Sequence, residues 1–306
     1  MRRFEYLEAR TLRQAVRMLQ QHGQQARIVA GSTDFLVRWR AGFWHPDYVV
    51  NIQHVPGLSR VAYSARNGLR LGALVTIQTL EQHPAIRRHY PALAAAAASF
   101  AGVQVRNLAT VGGNICNASP SGDTLPALLV YGAECRLSGP DGNRQVPLEQ
   151  LITGPGQTVL AQDEVLTEIT LPPPSRNTGS LYIKHSPRGA MDIATVGVAS
   201  AVSVDRSGIC TDASIALGAV APTPLRARDA EQMLRGRTLD PELLQAAAEQ
   251  AMSQASPIDD VRGTASYRRE MVGVLTRRTL ERAAEAATGS ALAYEDHRRL
   301  AIQVAV

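Results

Sequence analysis

Two short stretches rich in glycine and hydroxyl residues constrain this chain most. Ala30-Gly31-Ser32-Thr33-Asp34 follows the apolar pair Ile28-Val29, and Thr110-Val111-Gly112-Gly113-Asn114 runs on toward Ala118-Ser119-Pro120-Ser121-Gly122-Asp123-Thr124. Both place small residues, hydroxyls and a carboxylate where a chain leaves a strand. Glycine has no side chain to keep an anion away, so backbone N–H groups there can approach a phosphate closely. Two such loops point to one extended ligand gripped from two sides, a dinucleotide being the simplest.

The surrounding pattern alternates helix and strand. Residues 11–19 carry apolar side chains at helical spacing with Thr11 as N-cap, His22-Gly23 ends that helix, and residues 26–30 form a strand into the first loop. A helix over 34–40 and a strand over 48–52 complete a unit whose loop amides sit at a helix N-terminus. Further along, a strand over 69–76 leads into a helix from Ile77. An alanine-rich helix runs from Pro91 toward Val103, and a short helix over 124–131 tolerates Pro126 in its first turn. Strands over 134–137 and 168–171 precede Pro172-Pro173-Pro174, the best linker in the chain. Beyond it, 179–184, 194–204 and 210–218 read as an antiparallel sheet, and 227–234, 241–253 and 264–287 as helices.

Composition excludes several functions. With 306 residues, 45% apolar and 19% charged, the chain is globular and large enough for two or three subdomains. The formal charge of +5 comes from scattered arginines without interleaved aromatics, so nucleic acid is not the expected partner. No run approaches a membrane span, and charge at Arg2, Arg3 and Glu5 replaces the apolar core of a signal peptide, so the expected compartment is the cytoplasm. Cys116, Cys135 and Cys210 are far apart, which predicts three buried thiols and no disulfide, zinc or iron–sulfur site in this chain.

The usual nucleotide signatures are missing. No G-x-G-x-x-G opens a helix and no G-x-x-x-x-G-K-[ST] occurs, and Gly154-Pro155-Gly156 reads as a turn. Zinc-protease and serine-hydrolase motifs are absent as well. A chain without bond-making side chains of its own is expected to hold a cofactor that carries the chemistry.

Four segments, taken in order, do resemble a family. Residues 28–36, 110–123, 154–167 and 184–194 look like the FAD-binding medium subunit of molybdenum hydroxylases, the group of xanthine dehydrogenase and carbon monoxide dehydrogenase. The resemblance covers nearly the whole chain. It implies an α+β architecture: a vanillyl-alcohol-oxidase-type FAD-binding fold in two α/β subdomains, followed by a small antiparallel sheet with a helical bundle. The expected boundaries are 1–58, 59–175 and 176–306.

The resemblance also implies site residues. Val29, Ala30, Gly31, Ser32, Thr33, Asp34 and Phe35, with Thr110, Gly112, Gly113 and Asn114, would bind the FAD pyrophosphate and ribityl region. Asp123 matches a carboxylate that contacts FAD, and Leu166 a main-chain contact on the adenine side. Lys184 and Ile193 match the segment beside the isoalloxazine, and Phe100 an aromatic beside the flavin. Simpler roles stand next to these: Asp34 and Asp123 as helix caps, Phe100 as core, Lys184 as a solvated lysine at a strand end. Lys184 is the only lysine in the chain.

The implied function is an electron-transfer subunit. Molybdopterin in a large partner and two [2Fe–2S] clusters in a small partner complete the complex, expected as a dimer of heterotrimers. With Cys116 alone after the second loop, the extra iron–sulfur cluster of 4-hydroxybenzoyl-CoA reductase is not expected. The near-neutral Gly189-Ala190-Met191 leaves NAD as acceptor open. A standalone flavoprotein oxidase and a noncatalytic scaffold are the alternatives.

Overall fold

The computed structural model describes residues 3–188 and 191–289. The N-terminal part contains β1 (Glu5–Glu8), α1 (Leu12–His22), β2 (Ala26–Val29), α2 (Phe35–Arg40) and β3 (Tyr48–Asn51). Its strands are parallel in the order β1-β3-β2. Thr11 caps α1 by accepting from the Gln14 N–H, and Gly23 ends it at positive φ, as the sequence predicts. β1 escapes sequence reading because its residues alternate weakly and two are glutamates.

The middle part is built on a sheet ordered β4-β5-β10-β6-β7, antiparallel throughout. Its strands are β4 (Val61–Ser64), β5 (Gly68–Gly72), β6 (Glu134–Gly139), β7 (Gly142–Pro147) and β10 (Val165–Leu171). Between β5 and β6 lie α3 (Ile77–Gln82), α4 (Pro84–His89), α5 (Pro91–Ala98), α6 (Val103–Arg106), α7 (Val111–Asn117) and α8 (Thr124–Val130). α9 (Leu148–Leu151) leads into a hairpin of β8 (Ile152–Gly154) and β9 (Gln157–Thr158). Gly156 turns that hairpin at φ 72°, so the Gly154-Pro155-Gly156 segment is the turn the sequence predicts.

Two expectations need correction. The alanine-rich helix stops at Ala98 rather than running toward Val103. The second glycine stretch is not a loop: Thr110 is the N-cap of α7, which contains Gly112 and Gly113. Two adjacent glycines weaken a helix by propensity, but here a Cβ on Gly112 would lie 2.7 Å from the Ala73 Cβ. Close packing against the strand end selects glycine despite its helix cost.

The C-terminal part holds β11 (Thr178–His185), β12 (Val196–Val204), β13 (Cys210–Gly218) and β14 (Leu225–Arg226), antiparallel in that order. α10 (Arg228–Leu234), α11 (Pro241–Gln254) and α12 (Ala265–Ala287) follow. Alternation along the pleat sends Leu181, Ile183, Ile215 and Leu217 toward these helices. The opposite face sends Tyr182, Ala199, Ala201 and Ala216 into the core of the middle part, beside Leu93 and Leu128. Lys184 shares that second face. Among the described residues no helix is long and apolar enough to cross a membrane.

Candidate functional site

A cleft of about 340 Å³ opens between the N-terminal and middle parts. Val29 through Phe35 form one wall; Phe100, Thr110, Gly112, Gly113, Asn114 and Leu166 contribute to the other. The cleft thus gathers residues far apart in sequence. Asp123, Lys184 and Ile193 do not line it.

The two glycine stretches are held together by direct contact. A Cβ on Gly31 would lie 1.8 Å from the Leu108 carbonyl oxygen, so only glycine lets the first turn approach the segment leading to Thr110. Ser32 sits at φ 58°, in the left-handed region, and its hydroxyl donates to the Ala30 carbonyl at 3.3 Å. Gln53 Nε2 donates to the same carbonyl at 2.7 Å and so fixes the strand end that enters the turn.

The second stretch is organised differently from the phosphate-cradling loop expected from its sequence. The Val111 and Gly112 N–H groups donate to the Val75 and Ala73 carbonyls, and the Asn114 N–H to the Thr110 carbonyl. The Gly113 N–H donates to Thr110 Oγ1 at 3.1 Å. These amides are therefore satisfied within the protein. What α7 offers the cleft is a Cβ-free surface and polar side chains. Asn114 is braced by Thr124, whose hydroxyl donates to its Oδ1 at 2.6 Å.

Charge at the first wall is mixed. Asp34 stands at the start of α2 without a side-chain capping bond, which corrects the capping role. Burial pushes its carboxyl up, and Arg38 pulls it partly back. Arg27, exposed at the mouth of the cleft and lining it, packs its guanidinium over Trp44 at 4.3 Å, with Arg38 at 4.8 Å from the same ring. Burial lowers the Arg27 guanidinium first, and Arg38 lowers it further.

Sequence reading missed several lining residues, among them Trp44, Ala73, Leu74, Asn117, Leu160 and Gln162. Apolar residues in a mixed pattern carry no signal that they face a cleft. Cys116 was expected to be buried, as Cys135 and Cys210 are, but it is exposed and lines the cleft. Desolvation pushes its thiol up to about 12.

Asp123 and Lys184 meet elsewhere. Lys184 Nζ donates to Asp123 Oδ2 at 2.8 Å and to the Ser99 carbonyl at 3.3 Å. Tyr182, two residues earlier on the same face of β11, donates its hydroxyl to Asp123 Oδ1 at 3.2 Å. Both partners of the ion pair are buried, so Lys184 is not a solvated lysine at a strand end. Asp123 makes no capping bond to α8. Burial raises the Asp123 carboxyl, while Lys184 and Tyr182 oppose that rise. Ile193 is half-exposed, and the Gly189–Ala190 part of the neutral loop lies outside the described residues.

The donor set of the cleft fits a flavin dinucleotide. Asn117 lines the cleft, and its buried Oδ1 has no hydrogen-bond partner among the described residues, an acceptor that a polar ligand could satisfy. The close-set glycines leave room for a ligand backbone, and Phe100 supplies an aromatic surface.

Residues 2–174 match the family described as FAD binding domain in molybdopterin dehydrogenase, and residues 182–283 match the CO dehydrogenase flavoprotein C-terminal domain. The chain belongs to this FAD-binding family. The xanthine dehydrogenase FAD-binding subunit of Escherichia coli O157:H7 is 35% identical over 285 residues, covering 93% of this chain and 97% of that protein. The carbon monoxide dehydrogenase medium chain of Hydrogenophaga pseudoflava is 34% identical over 282 residues, covering 92% and 97%. A solved structure of that organism's carbon monoxide dehydrogenase, lacking the Mo-pyranopterin moiety, superimposes with a TM-score of 0.89 over 93% of this chain and 98% of the other. Quinoline 2-oxidoreductase from Pseudomonas putida 86 superimposes with a TM-score of 0.87 at 28% identity, over 94% of this chain and 98% of that one. This family member is accordingly an FAD-binding oxidoreductase component with a mixed helix-and-sheet fold.

Proposed function

We propose that the chain holds FAD in the cleft between its N-terminal and middle parts and passes electrons between [2Fe–2S] clusters of a small partner subunit and an external carrier. The gathering of Gly31, Thr110, Asn117 and Phe100 around one cleft is the observation that carries this reading. The turn from Gly31 to Phe35, with Arg27 beside it, receives the pyrophosphate. Leu166 and the apolar lining near it receive the adenine, and Phe100 flanks the isoalloxazine. When bound, the flavin interconverts one-electron and two-electron transfers; the protein binds it, orients it and limits water access to it.

Substrate turns over at molybdopterin in a large partner subunit, and the cytoplasmic complex is a dimer of heterotrimers. The fold is the vanillyl-alcohol-oxidase type in subdomains 1–58 and 59–175, with 176–306 as the C-terminal sheet and helices. The full chain, titrated with FAD, is expected to bind one equivalent. Co-expressed with both partners, its flavin is expected to bleach when substrate is added anaerobically. A chain that takes up no FAD, alone or in the complex, would sink the proposal.

A further inference from the structure

The turn that carries Phe100 into the cleft is built from four consecutive carbonyls, each of which accepts a hydrogen bond from a buried cation. Arg106 Nη1 donates to the Phe100 and Ala101 carbonyls, both at 3.1 Å, and to the Ala98 carbonyl at 3.4 Å. Lys184 Nζ takes the remaining one, Ser99, at 3.3 Å. Each cation has its own buried carboxylate: Glu81 Oε2 is 3.0 Å from Arg106 Nε, and Asp123 Oδ2 is 2.8 Å from Lys184 Nζ. All four charged residues are at most 9% exposed.

General packing does not require this arrangement. The last carbonyls of a helix lack intrahelical partners, and they are commonly satisfied by water, a glycine C-cap or a single basic side chain. Here α5 is an alanine-rich helix whose end could have been solvated. Instead its C-terminus is followed by Ala101 at φ 39°, a left-handed conformation that costs an alanine energy, and the Arg106 guanidinium donates to that residue's carbonyl. The cations come from different elements, Arg106 from α6 and Lys184 from β11. The turn is therefore braced by both the middle part and the C-terminal sheet. The lone lysine also gains a reason. Its compact ammonium serves one carboxylate and one carbonyl.

We propose that Arg106 and Lys184 are positioning residues for the flavin-ring end of the cleft, their buried ion pairs fixing the 98–101 turn so that Phe100 stands ready against an aromatic ligand. This inference rests on the FAD reading above. The two ends of the ligand separate the brace from the rest of the cleft. ADP carries the adenine and pyrophosphate but no isoalloxazine, so the brace should matter for FAD and not for ADP.

Charges are best removed in pairs, because one buried charge left alone can unfold the chain. The test uses the full chain with Lys184→Met/Asp123→Asn, Arg106→Met/Glu81→Gln, Arg106→Lys and Phe100→Leu. FAD and ADP affinities are measured by calorimetry, and the visible absorption of bound flavin is recorded. Each paired variant and Phe100→Leu is expected to weaken FAD by up to about tenfold, the scale of one aromatic contact, with ADP held within about twofold. The flavin bands should shift alike in all three, and Arg106→Lys, which keeps the charge but has one nitrogen for contacts that Arg106 makes with two, should lose less FAD affinity than Arg106→Met/Glu81→Gln. Equal loss of FAD and ADP affinity, or FAD binding unchanged in a folded paired variant, would overturn the brace. Unchanged FAD affinity and spectrum in Phe100→Leu would overturn it even if the paired variants fail to fold. Failure of the unmodified chain to bind FAD would instead remove the underlying flavin reading.

Discussion

Gly31 meets Leu108 so closely that a Cβ on Gly31 would stand 1.8 Å from the Leu108 carbonyl oxygen and 2.5 Å from its carbon. Both obstacles are backbone, so no side-chain rotation relieves them. Gly31→Ala is expected to destabilise the chain by about 1–3 kcal/mol, the usual range for overpacking, and to lower FAD content. Gly113→Ala provides the contrast, since its Cβ would meet only the Thr110 hydroxyl, at 2.9 Å. Urea midpoints and flavin-to-protein ratios of the two variants check this. A milder effect at Gly31 than at Gly113 would contradict the packing account.

Thr110 both caps α7 and lines the cleft. Thr110→Ala removes the acceptor for the Gly113 N–H, and loss of an N-cap costs about 1 kcal/mol. The urea midpoint should fall accordingly. An unchanged midpoint would mean that the cap adds nothing to stability.

Cys116 faces the cleft as a neutral thiol whose ionisation is pushed up to about 12. Iodoacetamide should modify it slowly near neutral pH and faster as pH rises, because the thiolate is the nucleophile. Saturating FAD should protect it, while buried Cys135 and Cys210 stay unmodified in either state. Peptide mapping with and without FAD decides the matter; equal labelling of Cys116 in both would place the flavin elsewhere.

Arg144 grips Glu164 through Nε at 2.6 Å and Nη2 at 2.7 Å, and Nη2 also donates to the Val159 carbonyl. This pins the segment from Leu160 to Gln162 that lines the cleft. The Arg144 hydrogen bonds hold the Glu164 carboxyl below its ordinary value of 4.5. A depressed carboxylate stabilises the fold above that ordinary value and loses its contribution as pH falls through the lower, folded-state value. The pair is partly exposed, so its worth at neutral pH is below about 1 kcal/mol. Arg144→Leu should lower the urea midpoint near neutrality, and the difference from the unmodified chain should vanish in acid. A difference that grows in acid would reverse the assignment.

Much of this architecture is legible from local chemistry. Thr11 and Gly23 bracket α1 by their own side chain and backbone, and the C-terminal strands announce themselves by apolar runs. Errors arise where distant contacts override local preference. α7 looks like a loop because of Gly112 and Gly113, yet its close approach to Ala73 requires them. α5 stops short because the chain turns over 99–101, where Ala101 takes a left-handed φ of 39°, and the Arg106 and Lys184 bonds to the Ala98 and Ser99 carbonyls are contacts that alanine propensity does not reveal. The Asp123–Lys184 pair spans 61 residues of sequence, which no spacing rule reaches. β7 stayed hidden because an edge strand with exposed polar residues lacks apolar alternation.

Tyr182, Ala199, Ala201 and Ala216 complete the same apolar interior as Leu93 and Leu128, although the two matched family segments part between residues 174 and 182, just after the prolines and within the start of β11. The seam that heredity marks is thus not the line along which the molecule would come apart. A gene divided there would produce halves that each leave an unfinished interior, and the first half would keep Asp123 without its cation. Evolution could exchange or fuse these segments only as fitted counterparts, never as free-standing cassettes.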